Sequence, residues 1–233
     1  TGKKDICRQI HFIIVSSGSD SSLMLSTTLI HAYGTCALTA DAQSIFSRLS
    51  SPDVIAWSAL IASYAREGKV NASLQAFDKM LENNIKPTSL TFLSVLLACS
   101  HGGLVDKGVE LFESMSKYYG INPELEHYLS MVDLLARSGY VNQAVGILDT
   151  VQWPLPKETW KALLTACKIY GEVDLGLRCF KHLVTMDPND ASAYAMMADI
   201  YRNAEEIDNL DRIEKLRELH RSRKKHLSKV LQH

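Results

Sequence analysis

An aromatic residue recurs along this 233-residue chain at a nearly constant interval. The positions are Trp57, Phe92, Tyr128, Trp160 and Tyr194, and the gaps between them are 35, 36, 32 and 34 residues. An interval of this length is typical of repeat proteins, in which each unit is one supersecondary structure that packs against its neighbours. The sequence therefore predicts an array of similar units rather than one or two unrelated globular domains.

Most units share one pattern between their two apolar segments. A glycine is followed three residues later by Asn or Asp, as at Gly68 and Asn71. Glycine tolerates the left-handed conformation that ends many helices, and Asn and Asp are favoured helix N-caps. Each unit is therefore predicted to be a helix, a turn and a second, capped helix. The predicted caps are Asn71, Asp106, Asn142, Asp174 and Asp208, after turns at Gly68, Gly103, Gly139, Gly171 and, without glycine, Glu205.

Composition and charge restrict the classes of protein to consider. Hydrophobic residues make up 46% and charged residues 22%, and no apolar run approaches the roughly 20 residues of a membrane span, so no membrane partner is expected. The formal net charge of −1 lacks the basic excess usual for a nucleic-acid-binding domain. Charge is uneven at the C-terminal end, because residues 212–233 hold eight Lys or Arg and two Glu.

Residues for catalysis or metal binding are not arranged in a known pattern. Cytidine deamination needs a zinc site with His-x-Glu and Pro-Cys-x-x-Cys, and neither occurs. The five cysteines lack Cys-x-x-Cys spacing and are expected to fill core positions in a reducing compartment. His127 and His182 are isolated and are expected to be structural. We therefore predict no metal, no cofactor and no enzymatic activity.

Several stretches resemble motifs of the pentatricopeptide repeat family of land plants, in its class with short, standard and long motifs. The standard motif is similar to DVIAWSALIASYAREGKVNASLQAFDKMLENNIKPT, and the last long motif to SLTFLSVLLACSHGGLVDKGVELFESMSKYYGINPE. The final short motif resembles HYLSMVDLLARSGYVNQAVGIL. The two E motifs that follow it resemble TWKALLTACKIYGEVDLGLRCFKHLVTMDPND and ASAYAMMADIYRNAEEIDNLDRIEKL.

This resemblance implies an all-α fold, a right-handed α-solenoid superhelix of helix-turn-helix repeats. Ala37 and Glu205 replace the usual turn glycine, and Ser26 replaces the aromatic residue of the first complete unit. We expect the chain to be part of a longer protein. The expected units are a truncated long motif over 1–22, motifs over 23–53 (short), 54–88 (standard), 89–124 (long) and 125–156 (short), E motifs over 157–190 and 191–225, and a tail over 226–233.

The resemblance also implies that the fifth and last residues of a unit contact the edge of one RNA base, while second residues pack on its faces. In unit 23–53 the residues at the base edge, called here the edge pair, are Thr27 and Asp53. Met24 and Ile55 pack on the two faces of the base. The family's code for Thr with Asp is guanine. The alternative is that these residues are ordinary polar or packing positions on a helix surface.

In unit 54–88 the edge pair is Ser58 with Thr88, between Ile55 and Leu90, which favours a purine. The next two units have Leu93 with Glu124 and Leu129 with Pro156, which offer little hydrogen bonding and assign no base. In this family the last short motif lies over the fourth nucleotide before an edited cytidine. The register therefore predicts guanine at the seventh nucleotide and a purine at the sixth.

The function implied is site recognition in C-to-U RNA editing in a mitochondrion or chloroplast, on single-stranded organellar RNA. Residues 157–225 would bind partners, namely a DYW-type cytidine deaminase acting in trans and multiple organellar RNA editing factors (MORF or RIP proteins). A basic run could contact the RNA backbone or simply be a solvated helix end. It comprises Arg221, Arg223, Lys224 and Lys225.

Two other functions remain open at this point. The near-neutral charge favours a helical scaffold that binds only proteins. The chain could instead serve organellar RNA splicing or stability, and only the resemblance of its last two units to E motifs argues for editing.

Overall fold

The computed structural model describes residues 2–16 and 22–230, with side chains described up to residue 219 except at residue 3. All regular secondary structure in these ranges is α-helical, which confirms the predicted all-α repeat fold. The helices are α1 (Gly2–Ser16), α2 (Leu23–Thr35), α3 (Thr39–Phe46), α4 (Val54–Arg66), α5 (Val70–Glu82), α6 (Ser89–Gly102), α7 (Val105–Tyr119), α8 (Leu125–Arg137), α9 (Val141–Thr150), α10 (Lys157–Tyr170), α11 (Val173–Met186), α12 (Ala191–Asn203) and α13 (Ile207–Val230). They form two compact units, Thr1–Leu134 and Leu135–His233.

The predicted turns between paired helices are tight and left-handed. Gly68, Gly103, Gly139 and Gly171 have φ angles from 62° to 86°, as helix ends with glycine require. Ala37 and Glu205 adopt the same conformation, with φ of 53° and 59°, although they carry side chains. The backbone geometry of the turn is therefore kept even where its usual residue is absent.

The predicted helix caps were wrong by two positions. The second helices begin at Val70, Val105, Val141, Val173 and Ile207, so the Asn and Asp that follow these residues are the second residues of the helices. The N-cap positions at Lys69 and Leu104 make no side-chain capping bond. Because the left-handed turn returns the chain to helical geometry within two residues, the helix starts before the Asn or Asp. An acidic side chain there still interacts favourably with the helix dipole.

The recurring aromatic residues join each helix pair to the next. Trp57 packs edge-to-face on Phe46 with ring centroids 4.6 Å apart, and Phe92 packs on Phe77 at 5.7 Å. The same arrangement joins Phe112 to Tyr128 and Phe180 to Tyr194. Each pair connects the second helix of one hairpin to the first helix of the following one. This contact explains why the aromatic period equals the length of one hairpin.

One aromatic contact differs, and it involves the Trp of α10. Leu148 replaces the ring that the preceding helix would supply. Trp160 instead stacks on His182 of α11, with centroids 3.9 Å apart and planes 10° from parallel. His182 is therefore a packing residue, in agreement with its predicted structural role.

The cysteines follow the predicted pattern only in part. Cys99, Cys167 and Cys179 are buried, and burial raises the pKa of Cys99 to about 11. Cys7 and Cys36 are only half-buried, and their Sγ atoms lie 3.3 Å apart between α1 and α2.

In the described ranges, no helix is both long and apolar enough to cross a membrane.

Candidate nucleic-acid interface

A groove of about 400 Å³ crosses the exposed faces of α2, α4 and α6 in the first compact unit. Five of the predicted RNA-contacting residues line it: Thr27, Ile55, Ser58, Thr88 and Leu90. Met24 and Asp53 are not among the lining residues. The structure therefore brings together residues that lie up to 63 positions apart in sequence, from 27 to 90, on one surface.

Large apolar side chains protrude at the starts of these helices. Met24, Ile55 and Leu90 are 74%, 62% and 60% exposed. Each is the second residue of its helix, where the side chain has few intrahelical neighbours. Exposed apolar side chains on the first helices of successive hairpins can pack on the faces of unstacked bases.

The hydroxyl of Thr27 is buried and makes no hydrogen bond to the described part of the chain. Thr27 as a whole is 9% exposed and lines the groove. A buried hydroxyl without a partner costs free energy, because it has lost water and gained nothing in return. Its hydrogen-bonding capacity is therefore unused within the described part of the chain.

Asp53 has a clear structural role. It is the N-cap of α4, and its Oδ1 accepts a hydrogen bond of 2.8 Å from the backbone N–H of Ala56. This bond uses one of the two carboxylate oxygens. Its contact with a base remains a prediction.

Ser58 and Thr88 are connected through Thr91, a residue that the sequence analysis missed. The hydroxyl oxygens of Ser58 and Thr91 lie 2.7 Å apart, and those of Thr88 and Thr91 lie 3.1 Å apart. Thr88 is also the N-cap of α6 and forms a capping box with Thr91. The Thr-x-x-Thr spacing before an apolar helix is the signal that could have identified Thr91.

A second groove of about 420 Å³ follows between α6 and the start of α8. Thr88, Leu90, Leu93, Glu124 and His127 are among its lining residues. The Nδ1 of His127 accepts from the Glu124 N–H at 3.1 Å, and its Nε2 donates to the Ser89 carbonyl at 2.9 Å. Both ring nitrogens are therefore occupied, which confirms the structural role predicted for His127.

In the second compact unit, the residues at the positions equivalent to Thr27 and Asp53 contact each other. They are Lys161 and Asp190, the fifth and last residues of the expected repeat 157–190, and their Nζ and Oδ2 atoms lie 3.0 Å apart. Lys157 also contacts this carboxylate, at 2.8 Å. Burial alone would raise the pKa of Asp190, but hydrogen bonds from Lys157, Ser192 and Lys161 hold it well below its usual range. These polar groups are therefore already paired within the protein.

The predicted basic run falls on the last turns of α13. The side chains of Arg221, Arg223, Lys224 and Lys225 lie outside the described residues, so their RNA contact remains a prediction. Among the residues whose side chains are described, no group of three or more His, Cys, Asp or Glu could hold a metal ion.

Sequence comparison identifies related proteins. Residues 52–101 match the PPR repeat family, and residues 90–118 match the PPR repeat. The chain is 39% identical over 209 residues to the chloroplastic pentatricopeptide repeat-containing protein CRR2 of Arabidopsis thaliana, covering 90% of this chain and 32% of the relative. It is 34% identical to a mitochondrial pentatricopeptide repeat-containing protein of Arabidopsis thaliana, covering 88% and 23%. The chain thus spans about a third or less of these two relatives.

Solved structures share the fold. The crystal structure of PPR10 from maize matches with a TM-score of 0.62 and 21% identity, over 81% of this chain and 28% of that one. The PPR domain of Arabidopsis thaliana protein-only RNase P 1, solved in complex with tRNA, matches with a TM-score of 0.64 and 13% identity, over 78% of this chain and all of that one. The repeated helical hairpins and the sequence matches together show that this chain belongs to the pentatricopeptide repeat family.

Proposed function

We propose that this chain is the RNA-recognition part of an organellar factor that selects a site for C-to-U RNA editing. The observation that carries this proposal is the groove across α2, α4 and α6, which Thr27, Ser58 and Thr88 line together with exposed apolar residues. Arrays of helical repeats can bind single-stranded RNA with one base per repeat. PPR10, which shares this fold, has been solved in complex with an 18-nt psaJ RNA element.

Thr27 and Asp53 would read guanine in this scheme. The Thr27 hydroxyl has no partner among the described residues, and the Asp53 carboxylate has an oxygen beyond its capping bond, which could accept from guanine N–H groups. Ser58 and Thr88 would read a purine at the next nucleotide, between Ile55 and Leu90. Counted from the edited cytidine, these would be the seventh and sixth nucleotides upstream.

The second compact unit would bind protein partners. Pairing of Lys161 with Asp190 supports a role other than base reading for residues 157–190, because the equivalent polar groups are already neutralised. Residues 157–225 would recruit a DYW-type deaminase and multiple organellar RNA editing factors. The chain would thus act without catalysing the reaction itself. Relatives named chloroplastic and mitochondrial support an organellar location.

Sequencing of organellar cDNA tests this function. Plants with and without the intact gene would be compared at every C-to-U site, splice junction and transcript end in mitochondria and plastids. We expect loss of editing at one or a few cytidines with guanine seven nucleotides upstream. Unchanged editing with altered splicing or transcript ends would refute the editing role and support an RNA-processing factor.

Thr27→Asn provides a sharper test of the register. In the family's code this change moves the preference from guanine towards uracil. A gene carrying Thr27→Asn should therefore fail to restore editing in the mutant plant, while the Thr35→Asn control should restore it. Thr35 is exposed on the same helix, is not among the residues that line the groove, and its hydroxyl bonds to the Ala32 carbonyl. Equal rescue by both variants would exclude base reading by Thr27.

A further inference from the structure

We propose that Thr91 is a specificity-determining residue that positions the hydroxyls of Ser58 and Thr88 for a purine. This inference rests on the proposed function, because it concerns the nucleotide that Ser58 and Thr88 would contact. Thr91 is fully buried and is not among the residues that line either groove. It would act through its two neighbours and is therefore a positioning residue.

The side-chain contacts of Thr91 converge on one oxygen, while its backbone N–H donates to Thr88 Oγ1 at 3.4 Å. Its Oγ1 lies 2.7 Å from Ser58 Oγ and 3.1 Å from Thr88 Oγ1. It also accepts a hydrogen bond from the Thr88 backbone N–H at 3.0 Å. Ser58 lies on α4 and Thr88 caps α6, so this oxygen connects the two helices beneath the groove.

The number of hydrogens at this oxygen restricts what the groove can present. A hydroxyl has one hydrogen to donate and two lone pairs to accept with. The Thr88 N–H is always a donor and occupies one lone pair of Thr91. One hydrogen and one lone pair remain for the other two hydroxyls. If Thr91 donates to Ser58, it accepts from Thr88, and if it donates to Thr88, it accepts from Ser58.

The two hydroxyls at the groove therefore present opposite polarity to a ligand. The hydroxyl that donates to Thr91 offers only lone pairs, and the other offers its hydrogen. Adenine has a donor beside an acceptor on its Watson–Crick edge, and guanine has the reverse order. Rotation of three hydroxyls converts one arrangement into the other without moving a heavy atom. Cytosine has the same order as adenine, and uracil the same order as guanine, so polarity alone does not separate purines from pyrimidines. The preference for a purine depends instead on reach, because Thr91 holds both hydroxyls at fixed positions that the longer edge of a purine approaches more closely.

Selection from a randomised pool of single-stranded RNA tests this role with the 233-residue chain. The enriched sequences would define the preferred base at each aligned position for the wild type, Thr91→Val and Thr91→Ser. We call the nucleotide that Ser58 and Thr88 would contact the Ser58 nucleotide, and the one that Thr27 and Asp53 would contact the Thr27 nucleotide. Oligonucleotides that differ only at the Ser58 nucleotide would then give the ratio of the affinity for a purine to the affinity for a pyrimidine at that position. We expect Thr91→Val to reduce this ratio roughly tenfold, the effect of losing one ordered hydrogen bond. Thr91→Ser keeps the hydroxyl and should keep the ratio.

A double-mutant cycle separates positioning from a general loss of stability. Thr91→Val should have no further effect on the ratio once Ser58→Ala has removed the hydroxyl that it positions. The ratio does not depend on the fraction of folded protein, because both oligonucleotides bind the same preparation. Discrimination at the neighbouring Thr27 nucleotide serves as the internal control and should stay unchanged.

The outcomes distinguish this inference from the proposed function. If the wild type prefers guanine at the Thr27 nucleotide and Thr91→Val leaves the purine preference at the Ser58 nucleotide intact, only the role of Thr91 is refuted. Additive effects of Thr91→Val and Ser58→Ala would also refute it. If the wild type shows no base preference at either nucleotide, both proposals are wrong.

Discussion

At the scale of single residues, two turns carry a conformation that does not suit their side chains. Ala37 and Glu205 have positive φ angles like the turn glycines. A non-glycine residue in this region costs about 1 kcal/mol. Ala37→Gly and Glu205→Gly should therefore each raise the free energy of unfolding by up to about 1 kcal/mol, measured by urea denaturation.

The reverse substitution is the matched control for the turn prediction. Gly68 has a φ of 70°, and a Cβ added there would meet no atom within 4 Å. Gly68→Ala should therefore destabilise the chain through backbone strain alone, by about 1 kcal/mol. Stabilisation by Gly68→Ala, or destabilisation by Ala37→Gly, would contradict this explanation.

The Thr27 hydroxyl should favour RNA binding but not the stability of the fold. Thr27→Val keeps the shape of the side chain and removes a buried hydroxyl that lacks a partner in the described part of the chain. The variant should be as stable as the wild type or up to about 1 kcal/mol more stable, and should lose its preference for guanine. Ser58→Ala, which removes a hydroxyl bonded to Thr91, should instead lower stability. Thermal unfolding and binding to guanine- and adenine-containing oligonucleotides would measure both effects.

At the scale of secondary-structure elements, α1 and α2 are close enough to be cross-linked. The Sγ atoms of Cys7 and Cys36 are 3.3 Å apart. Treatment with the thiol oxidant diamide should therefore form an intramolecular disulfide, detected by mass spectrometry of non-reduced peptides. Cys36→Ser is the control and should abolish it, while the buried Cys99, Cys167 and Cys179 should react more slowly.

The rate of this reaction should depend on pH. The hydrogen bond to Cys36, together with burial, raises the pKa of the Cys7 thiol. Thiolate is the reactive form of cysteine, so only a small fraction of Cys7 is reactive at neutral pH. The rate of disulfide formation should therefore increase as the pH rises above 7. A rate that is independent of pH between 7 and about 9 would contradict this environment for Cys7.

At the scale of the whole molecule, the residues with acid-sensitive ion pairs are concentrated in the second compact unit. Hydrogen bonds from Arg178, Lys157 and Lys168 lower the pKa of Asp149, Asp187 and Asp199, respectively. The pKa of Asp190 is also lowered, against the effect of burial. Because the folded pKa values lie below the unfolded ones, these pairs stabilise the fold above about pH 4 and lose this effect as the pH falls further.

Asp190→Asn tests this acid dependence. Asn can still cap α12 but cannot form the ion pair with Lys161, so the melting temperature at pH 7 should fall by about 3 °C. The difference in melting temperature between pH 7 and pH 3 should become smaller than in the wild type. Asp78→Asn, at an exposed position of α5 with no ion pair in the described part of the chain, should leave that difference unchanged.

The helical hairpins were predictable from the sequence because their signals are local. Glycine and its replacements mark turns that the backbone needs in any context, and the aromatic period equals the length of one hairpin. The exact helix starts were not predictable, since the turn decides where helical geometry resumes. For this reason the helix begins at Val70, ahead of the expected cap at Asn71.

The all-α repeat fold is predictable from the sequence alone. The sequence also identifies five candidates for one surface, namely Thr27, Ile55, Ser58, Thr88 and Leu90. The hydrogen-bond partners of these side chains follow only from the tertiary structure. It leaves the Thr27 hydroxyl unpartnered in the described chain, bonds Ser58 to Thr91, and pairs Lys161 with Asp190. Hydrogen bonds and ion pairs between residues about thirty positions apart depend on how neighbouring hairpins pack, which no local sequence signal specifies.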